Sequence, residues 1–491
     1  MLGSKAVRLT YIRARAMSSA PSKSGTPPHH TTALPPAWAE AGSRWSSPHG
    51  LPAGGAQASP AHHVGDGTFR NPWPSYTDYG PYDFLTKALP ELRRVDTYAL
   101  PLRPLPMAEL ANPTERLQSL WIGHATFFVQ IDGFNVLTDP VFSRRASPSQ
   151  LAGPARYTPP AATVEELPRV DVVLISHNHY DHVDAGSISR LLRKEADDMA
   201  AAARDGVAYS GTTWICPLNV GPLLVSLGVR RERLVELDWW DSASIGRGVS
   251  GAPHIVNVMR KHSASATLRG FEPVTSGVER PSIASAAPLV VTATPAQHQS
   301  ARTMFDRNRT LWCGYALEGN AHLEGGRVAA YFSGDTGLRS VPRGSLPFDA
   351  TELSVPVCPA FADIGAALGP FDLAMLPIGA YSPRWFMSSF HASPEDAVRI
   401  HTDVRAVRSI GMHWGAFPLT DEPIEEPPER LREAVRRAGL AADAFVAVWP
   451  GSLVRAKAGP LDTEGGSAVI AGPIDPAAAA PLKRRSGFLP W

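Results

Sequence analysis

Cysteine is scarce in this 491-residue chain: Cys216, Cys313 and Cys358 stand far apart and are odd in number. That excludes a disulfide framework and fits a reducing compartment. No run of about 18 uninterrupted apolar residues occurs, so nothing reads as a membrane-spanning helix. An excess of one charge is missing too: 47 Lys+Arg against 46 Asp+Glu leave a formal net charge of +1. An extended nucleic-acid footprint needs a clustered basic excess, so no nucleic-acid partner is expected. What the chain does have is 44% hydrophobic residues, enough for a real core.

The 47 prolines and 41 glycines are unevenly placed. Ser, Pro, Ala, Gly and His dominate residues 18–67, so 1–68 is expected to be disordered, because it cannot bury enough apolar surface to offset chain entropy. The stretch 456–491 reads as a flexible tail. Residues 242–287 are rich in Ser, Gly, Ala and Arg and read as a low-complexity surface insertion. Between these limits one catalytic domain is expected over 69–455.

Within that domain, Thr126–Ile131 and Phe134–Thr138 flank Asp132-Gly133, a strong hairpin signal. Asp171-Val-Val-Leu-Ile175 is a continuous apolar run, as in a strand covered on both faces. Further strands are expected at Trp214–Ile215, Leu289–Ala293, Leu311–Leu317, Val328–Phe332, Leu373–Pro377 and Val407–Met412. Helices fit Ser187–Lys194, Pro394–His401 (Ser393 as N-cap, Pro394 at the first helical position) and Pro428–Ala438. This mixed order predicts an α/β sandwich rather than a simple doubly wound sheet.

The segment Ile175-Ser-His177-Asn-His179-Tyr-Asp181-His182-Val-Asp184 directly follows that expected buried strand. Three imidazoles and a carboxylate within six residues, leaving a strand as a loop, can face two adjacent ions. His and Asp together suit Zn²⁺. His298, Asp335 (in Ser333-Gly-Asp-Thr-Gly337) and His413 sit just past later strands. Each alone would read as an ordinary turn or core residue. Their order behind the histidine cluster makes them candidate ligands.

That order, His-x-His-x-Asp-His, then His, Asp and His, resembles the ligand series of the metallo-β-lactamase superfamily. Flanking strings narrow it: Phe69-Arg-Asn-Pro-Trp-Pro74, Gly123-His-Ala-Thr126, Leu137-Thr-Asp-Pro140, Glu236-Leu-Asp-Trp-Trp240, Gly369-Pro-Phe-Asp-Leu373, Pro377–Met387 and Glu395–Asp403. They resemble the N-acylphosphatidylethanolamine-hydrolysing phospholipase D family. The resemblance implies an αββα sandwich. It also implies two zinc ions, one held by His177, His179 and His298, the other by Asp181, His182 and His413, with Asp335 bridging.

The implied activity is hydrolysis of N-acylphosphatidylethanolamine to N-acylethanolamine and phosphatidic acid, by metal-activated water attacking phosphorus. Asp181, Asp335 and His391 are the expected catalytic residues, with His391 a proton donor or phosphate contact. The metal site alone is equally compatible with another ester: a lactone, a thioester or a different phosphodiester. Asp139 and Asp184 are candidates for orienting imidazoles. Trp385, Phe386 and Met387 are read as packing anchors or an acyl-chain rim. The family also implies a phospholipid partner at a membrane surface and a homodimer. Residues 1–39 hold five basic residues and no acidic one, with serines following, as mitochondrial transit signals do. A cationic tail on a cytoplasmic, peripheral membrane enzyme is the alternative.

Overall fold

The computed structural model describes residues 60–456, apart from 94, 208, 210, 248–252, 261–287 and 320–325. The strands in chain order are Leu117–Gly123 (β1), Thr126–Ile131 (β2), Phe134–Thr138 (β3), Val172–Leu174 (β4), Thr213–Pro217 (β5), Leu234–Leu237 (β6), Ser242–Arg247 (β7) and Pro253–Met259 (β8). They continue with Leu289–Thr294 (β9), Gly314–Glu318 (β10), Ala329–Phe332 (β11), Phe371–Pro377 (β12), Ala406–Met412 (β13), Phe445–Val446 (β14) and Leu453–Arg455 (β15). They form two sheets, ordered β15-β1-β2-β3-β4-β5-β6 and β14-β13-β12-β11-β10-β9-β7-β8. Both are mixed: β1 to β3 run antiparallel and β3 to β6 parallel, while β7 to β11 are antiparallel and β11 to β14 parallel.

Alternation along β1 and β2 sorts their side chains between two layers. Trp121, Phe127, Val129 and Ile131 join Tyr315, Leu317 and Tyr331 in the core between the sheets. Leu120, Ile122 and Phe128 face the other way, onto a cluster holding Ile188 and Leu191 of the helix Ala185–Arg204 (α1). Beyond the second sheet lie Pro394–Asp403 (α2) and Glu426–Arg437 (α3), whose Val398, Ile400, Leu431 and Ala434 complete the larger core. The architecture is the expected αββα sandwich.

Local signals explain several elements. Asp132 and Gly133 both take positive φ (47° and 81°), the conformation a two-residue hairpin between right-twisted strands requires. Ser393 forms a capping box with Asp396 at the start of α2. Asp184 caps α1, accepting from the backbone N–H of Gly186 and Ser187. Helix α1 runs well past the expected Lys194, because the alanines that follow favour helix and no stop signal precedes Asp205-Gly206.

Two expected boundaries need correction. The ordered chain begins before residue 69: His62 is buried, and both His62 and His63 pair with Asp238. The stretch 242–287 is not a loop throughout, because β7 pairs with β8 and β9 and buries Ala243 and Ile245 completely. Their period-2 spacing was masked by the small-residue composition around them. Residues 1–59 and 457–491, and 248–252 and 261–287 of the expected insertion, lie outside the described residues.

One buried histidine makes acid sensitivity predictable. His401 on α2 is 3% exposed, its Nδ1 2.7 Å from Ser409 Oγ, and burial pushes its pKa down to about 4. The unfolded chain takes a proton near pH 6.5 that the folded chain refuses. Its stabilisation is therefore whole above pH 6.5 and is lost as pH falls from 6.5 to about 4. At about 1.4 kcal/mol per pKa unit, this costs about 3 kcal/mol. Urea midpoints of wild type and His401→Gln across that range should diverge, the variant losing less; parallel slopes would refute the assignment.

Candidate metal centre

Every expected ligand lies just past the C-terminal end of a strand, at one edge of the sandwich. His177, His179, Asp181 and His182 follow β4, His298 follows β9, Asp335 follows β11 and His413 follows β13. Strand β4 belongs to one sheet and β9, β11 and β13 to the other, each separated from the next by one strand, so the ends of both sheets supply the ligands and residues far apart in sequence converge. His391 comes from the segment between β12 and α2.

The structure brings all seven into one buried ring. Asp335 Oδ2 is its common vertex, 3.1 Å from Nε2 of both His182 and His413, 3.8 Å from His298 Nε2 and 3.9 Å from His177 Nε2. On one side His177 Nε2 and His298 Nε2 converge on His179 Nδ1 at 2.9 and 3.4 Å. On the other, Asp181 Oδ2 lies 3.4 Å from His182 Nε2 and 3.5 Å from His413 Nε2. Nitrogens sharing one tetrahedral ion at 2.0–2.1 Å stand about 3.3 Å apart, close to this spacing.

Electrostatics separates the two halves. Burial, reinforced by neighbouring imidazoles, drives His177 well below its ordinary pKa, His179 to about 3 and His298 to about 4, so all three are neutral donors at pH 7. Burial would also lower His413, but Asp335 and Asp181 lift it to about 9. Burial alone would raise the Asp335 carboxyl; His182 and His413 outweigh it and hold that carboxyl well below the carboxylate range. Asp181 Oδ1, Asp335 Oδ1, His182 Nε2 and both His413 nitrogens are buried without a hydrogen-bond partner. Buried polar atoms rarely stay unpaired. A ring of orphaned N and O donors fits cations.

The outer contacts follow the logic of oriented ligands. Asp139 accepts from His182 Nδ1 at 2.7 Å and from the Ser176 backbone N–H, as expected of it. His177 Nδ1 meets Ser176 Oγ at 2.9 Å, and His298 Nδ1 meets the Phe390 carbonyl at 2.9 Å. Asp184 touches no ligand imidazole in this way; it serves as the cap of α1. His391 Nδ1 is 3.9 Å from Asp335 Oδ2 and unpartnered, and burial drives its pKa well below the ordinary value. It therefore stands at the ring as a neutral imidazole.

Beyond the expected ligands, the structure adds contacts of His124 and Arg302 and decides between the two readings of Trp385 and Phe386. His124 Nε2 lies 2.9 Å from Asp181 Oδ2, and its ring centroid is 4.1 Å from that of His413. Only its place in Gly123-His-Ala-Thr126 could have flagged it. Arg302 donates to the carbonyls of Asn178 and Val183 and lies over the Tyr180 ring at 3.8 Å, clamping the ligand loop. Trp385 and Phe386 are packing residues, buried with Ala88 and Phe390. Met304 and Phe305, in the chain segment after His298, are exposed at 78% and 88%.

Fold and ring together define a metal-dependent hydrolase of the metallo-β-lactamase type. The sequence pattern of the Beta-lactamase superfamily domain matches residues 134–269 and 272–414. An uncharacterized protein of Mycobacterium tuberculosis is 33% identical over 400 residues, covering 79% of this chain and 85% of the relative. N-acyl-phosphatidylethanolamine-hydrolyzing phospholipase D 1 of Caenorhabditis elegans is 31% identical over 402 residues, covering 78% and 91%. The mitochondrial enzyme of that name from Saccharomyces cerevisiae is 27% identical over 352 residues, covering 70% and 58%. The chain belongs to the N-acylphosphatidylethanolamine-hydrolysing phospholipase D family of the metallo-β-lactamase superfamily.

Proposed function

We propose that this chain binds two zinc ions and hydrolyses N-acylphosphatidylethanolamine at the distal phosphodiester bond, releasing N-acylethanolamine and phosphatidic acid. What carries the reading is the complete ligand ring in a chain that aligns over 91% of the C. elegans phospholipase D. The N/O donor set with no cysteine suits zinc. Bound there, two such ions would supply Lewis acidity that acidifies water and neutralises charge on phosphoryl oxygens.

The chain's own groups then have distinct tasks. His177, His179 and His298 hold one position without giving up protons at pH 7. Asp181, His182 and His413 would hold the other, with Asp335 the proposed shared ligand. His124 steadies Asp181, and Asp139 fixes the His182 ring. His391, beside the ring with an unpartnered Nδ1, is the proposed hydrogen-bond partner of the departing oxygen.

Phospholipid presented at a membrane surface is the proposed partner, and the exposed side chains of Met304 and Phe305 support that reading. No helix among the described residues is long and apolar enough to cross a membrane. A homodimer is part of the proposal by family likeness. The mitochondrial location draws on the name of the yeast relative and on the acid-free start of the chain.

The test is incubation of zinc-loaded protein with micellar N-acylphosphatidylethanolamine in ¹⁸O-water, with products identified by mass spectrometry. The expected products are free N-acylethanolamine and phosphatidic acid carrying the label on phosphorus. Lyso-lipid or free fatty acid would mean carboxyl-ester cleavage and a different enzyme.

A further inference from the structure

Among the described residues, His62, His63 and Asp238 form a cluster of metal-ligating side chains outside the ring. His62 Nε2 meets Asp238 Oδ1 at 2.7 Å, and His63 Nε2 meets Asp238 Oδ2 at 2.8 Å. Their arrangement differs from that of the ring. Around Asp335 and Asp181 one carboxylate oxygen is shared by several nitrogens, as when donors surround an ion. Here each imidazole takes its own oxygen at ordinary hydrogen-bond length, and Oδ1 also accepts the Trp239 backbone N–H at 2.8 Å. No side-chain atom of the trio is among the buried orphans. This is a hydrogen-bonded clasp.

What the clasp fastens gives it a role. Residues 60–79 form a strap across the loop that carries His298. His62 stacks on Trp239 with centroids 4.1 Å apart, Trp73 stacks on the same indole at 5.3 Å, and the Phe69 N–H donates to the Asn308 carbonyl. From this anchored strap Asn71 Nδ2 donates to the backbone carbonyl of His298 at 2.7 Å. Ser75 Oγ donates to Gln297 Oε1, and Gln297 Nε2 donates to the Ser389 carbonyl at 3.2 Å. The ligand's ring is held by Phe390 on the other side. His298 thus sits between two braces, one of which is the strap.

We infer that Asn71 is a positioning residue for His298, and that the His62–His63–Asp238 clasp keeps it in place, so that the strap sets the affinity of the His177/His179/His298 position. The inference rests on the reading of the ring as a two-ion centre. Groups that orient metal ligands typically change affinity about 10–100-fold when removed. Asn71→Leu, similar in size and unable to donate, should lower the affinity for one of two ions by that factor and leave the other unchanged. Asp238→Ala should produce the same one-ion defect from a distance. The double variant should be no weaker than the weaker single, because both act through one contact.

The experiment is titration of metal-stripped full-length protein with Co²⁺, followed by visible absorption and by metal analysis after gel filtration, with circular dichroism as the fold control. Wild type taking up two ions, with one weakened in Asn71→Leu at unchanged circular dichroism, supports the inference. Wild type binding no metal would defeat the proposed function itself. Two ions bound with wild-type affinity in both single variants, or both ions weakened equally, would overturn the strap alone. A third ion in wild type that disappears in His63→Ala would overturn the clasp. If Asp238→Ala does not fold, Asn71→Leu still decides, since Asn71 is only half-buried.

Discussion

Asp335→Asn is expected to leave the chain folded and reduce kcat/KM by about 10³-fold, the scale of losing a principal electrostatic stabiliser. The side chain keeps its shape, but the shared oxygen of the ring loses its charge. Asp335 Oδ2 lies within 4 Å of nitrogens of His177, His182, His298, His391 and His413, so the loss of its charge is felt by all five. Bound metal should fall below two per chain in the same variant. Steady-state kinetics with elemental analysis checks both, and turnover at the wild-type rate would sink the bridging assignment. His177→Ala should behave similarly but lose mainly one ion.

Chelation should have the other large effect. Dialysis against a strong chelator is expected to abolish hydrolysis, and added Zn²⁺ should restore it. Stability should fall at the same time, because metal bound to the folded state alone contributes about 4 kcal/mol per site at a thousandfold excess over Kd. Stripping also leaves the orphaned atoms of Asp181, Asp335, His182 and His413 uncompensated. Differential scanning calorimetry of stripped and reloaded protein reads this directly. A stripped sample, metal-free by elemental analysis, that still turns over or melts unchanged would rule out a metal-dependent centre.

The ring was legible because its chemistry is concentrated. His177 to His182 lie in one loop, and the remaining ligands each close a strand whose apolar run can be read from composition. The hairpin at Asp132-Gly133 and the cap at Ser393 were legible for a similar reason: each is set by a few adjacent residues. What stayed hidden depends on distance or on masking. His62 and Asp238 are separated by 176 residues, and no local pattern joins them. His124 stands alone between Gly123 and Ala125, with no partner at helical or strand spacing. Strand β7 was obscured because Ser242-Ala-Ser-Ile245 alternates with residues too small to look like a core. Asp184 was legible but misread: a carboxylate two residues before a helical glycine and serine is a cap signal, and that signal outweighed its nearness to the histidines.

The position of β15 has a consequence for how this protein is made. Leu453–Arg455 pairs antiparallel with β1, and just before it the Gly451 N–H donates to the Trp121 carbonyl. Strand β1 leaves the ribosome more than three hundred residues earlier than the strand that covers its free edge. Throughout synthesis of the intervening chain, that edge offers unpaired N–H and C=O groups to any passing strand. Sheet one can be completed only when nearly the whole domain has emerged, so the nascent chain carries an aggregation-prone edge for tens of seconds at bacterial-to-eukaryotic elongation rates of about 5–20 residues per second. Folding of this hydrolase is in that respect a closing of the circle: its last strand seals its first.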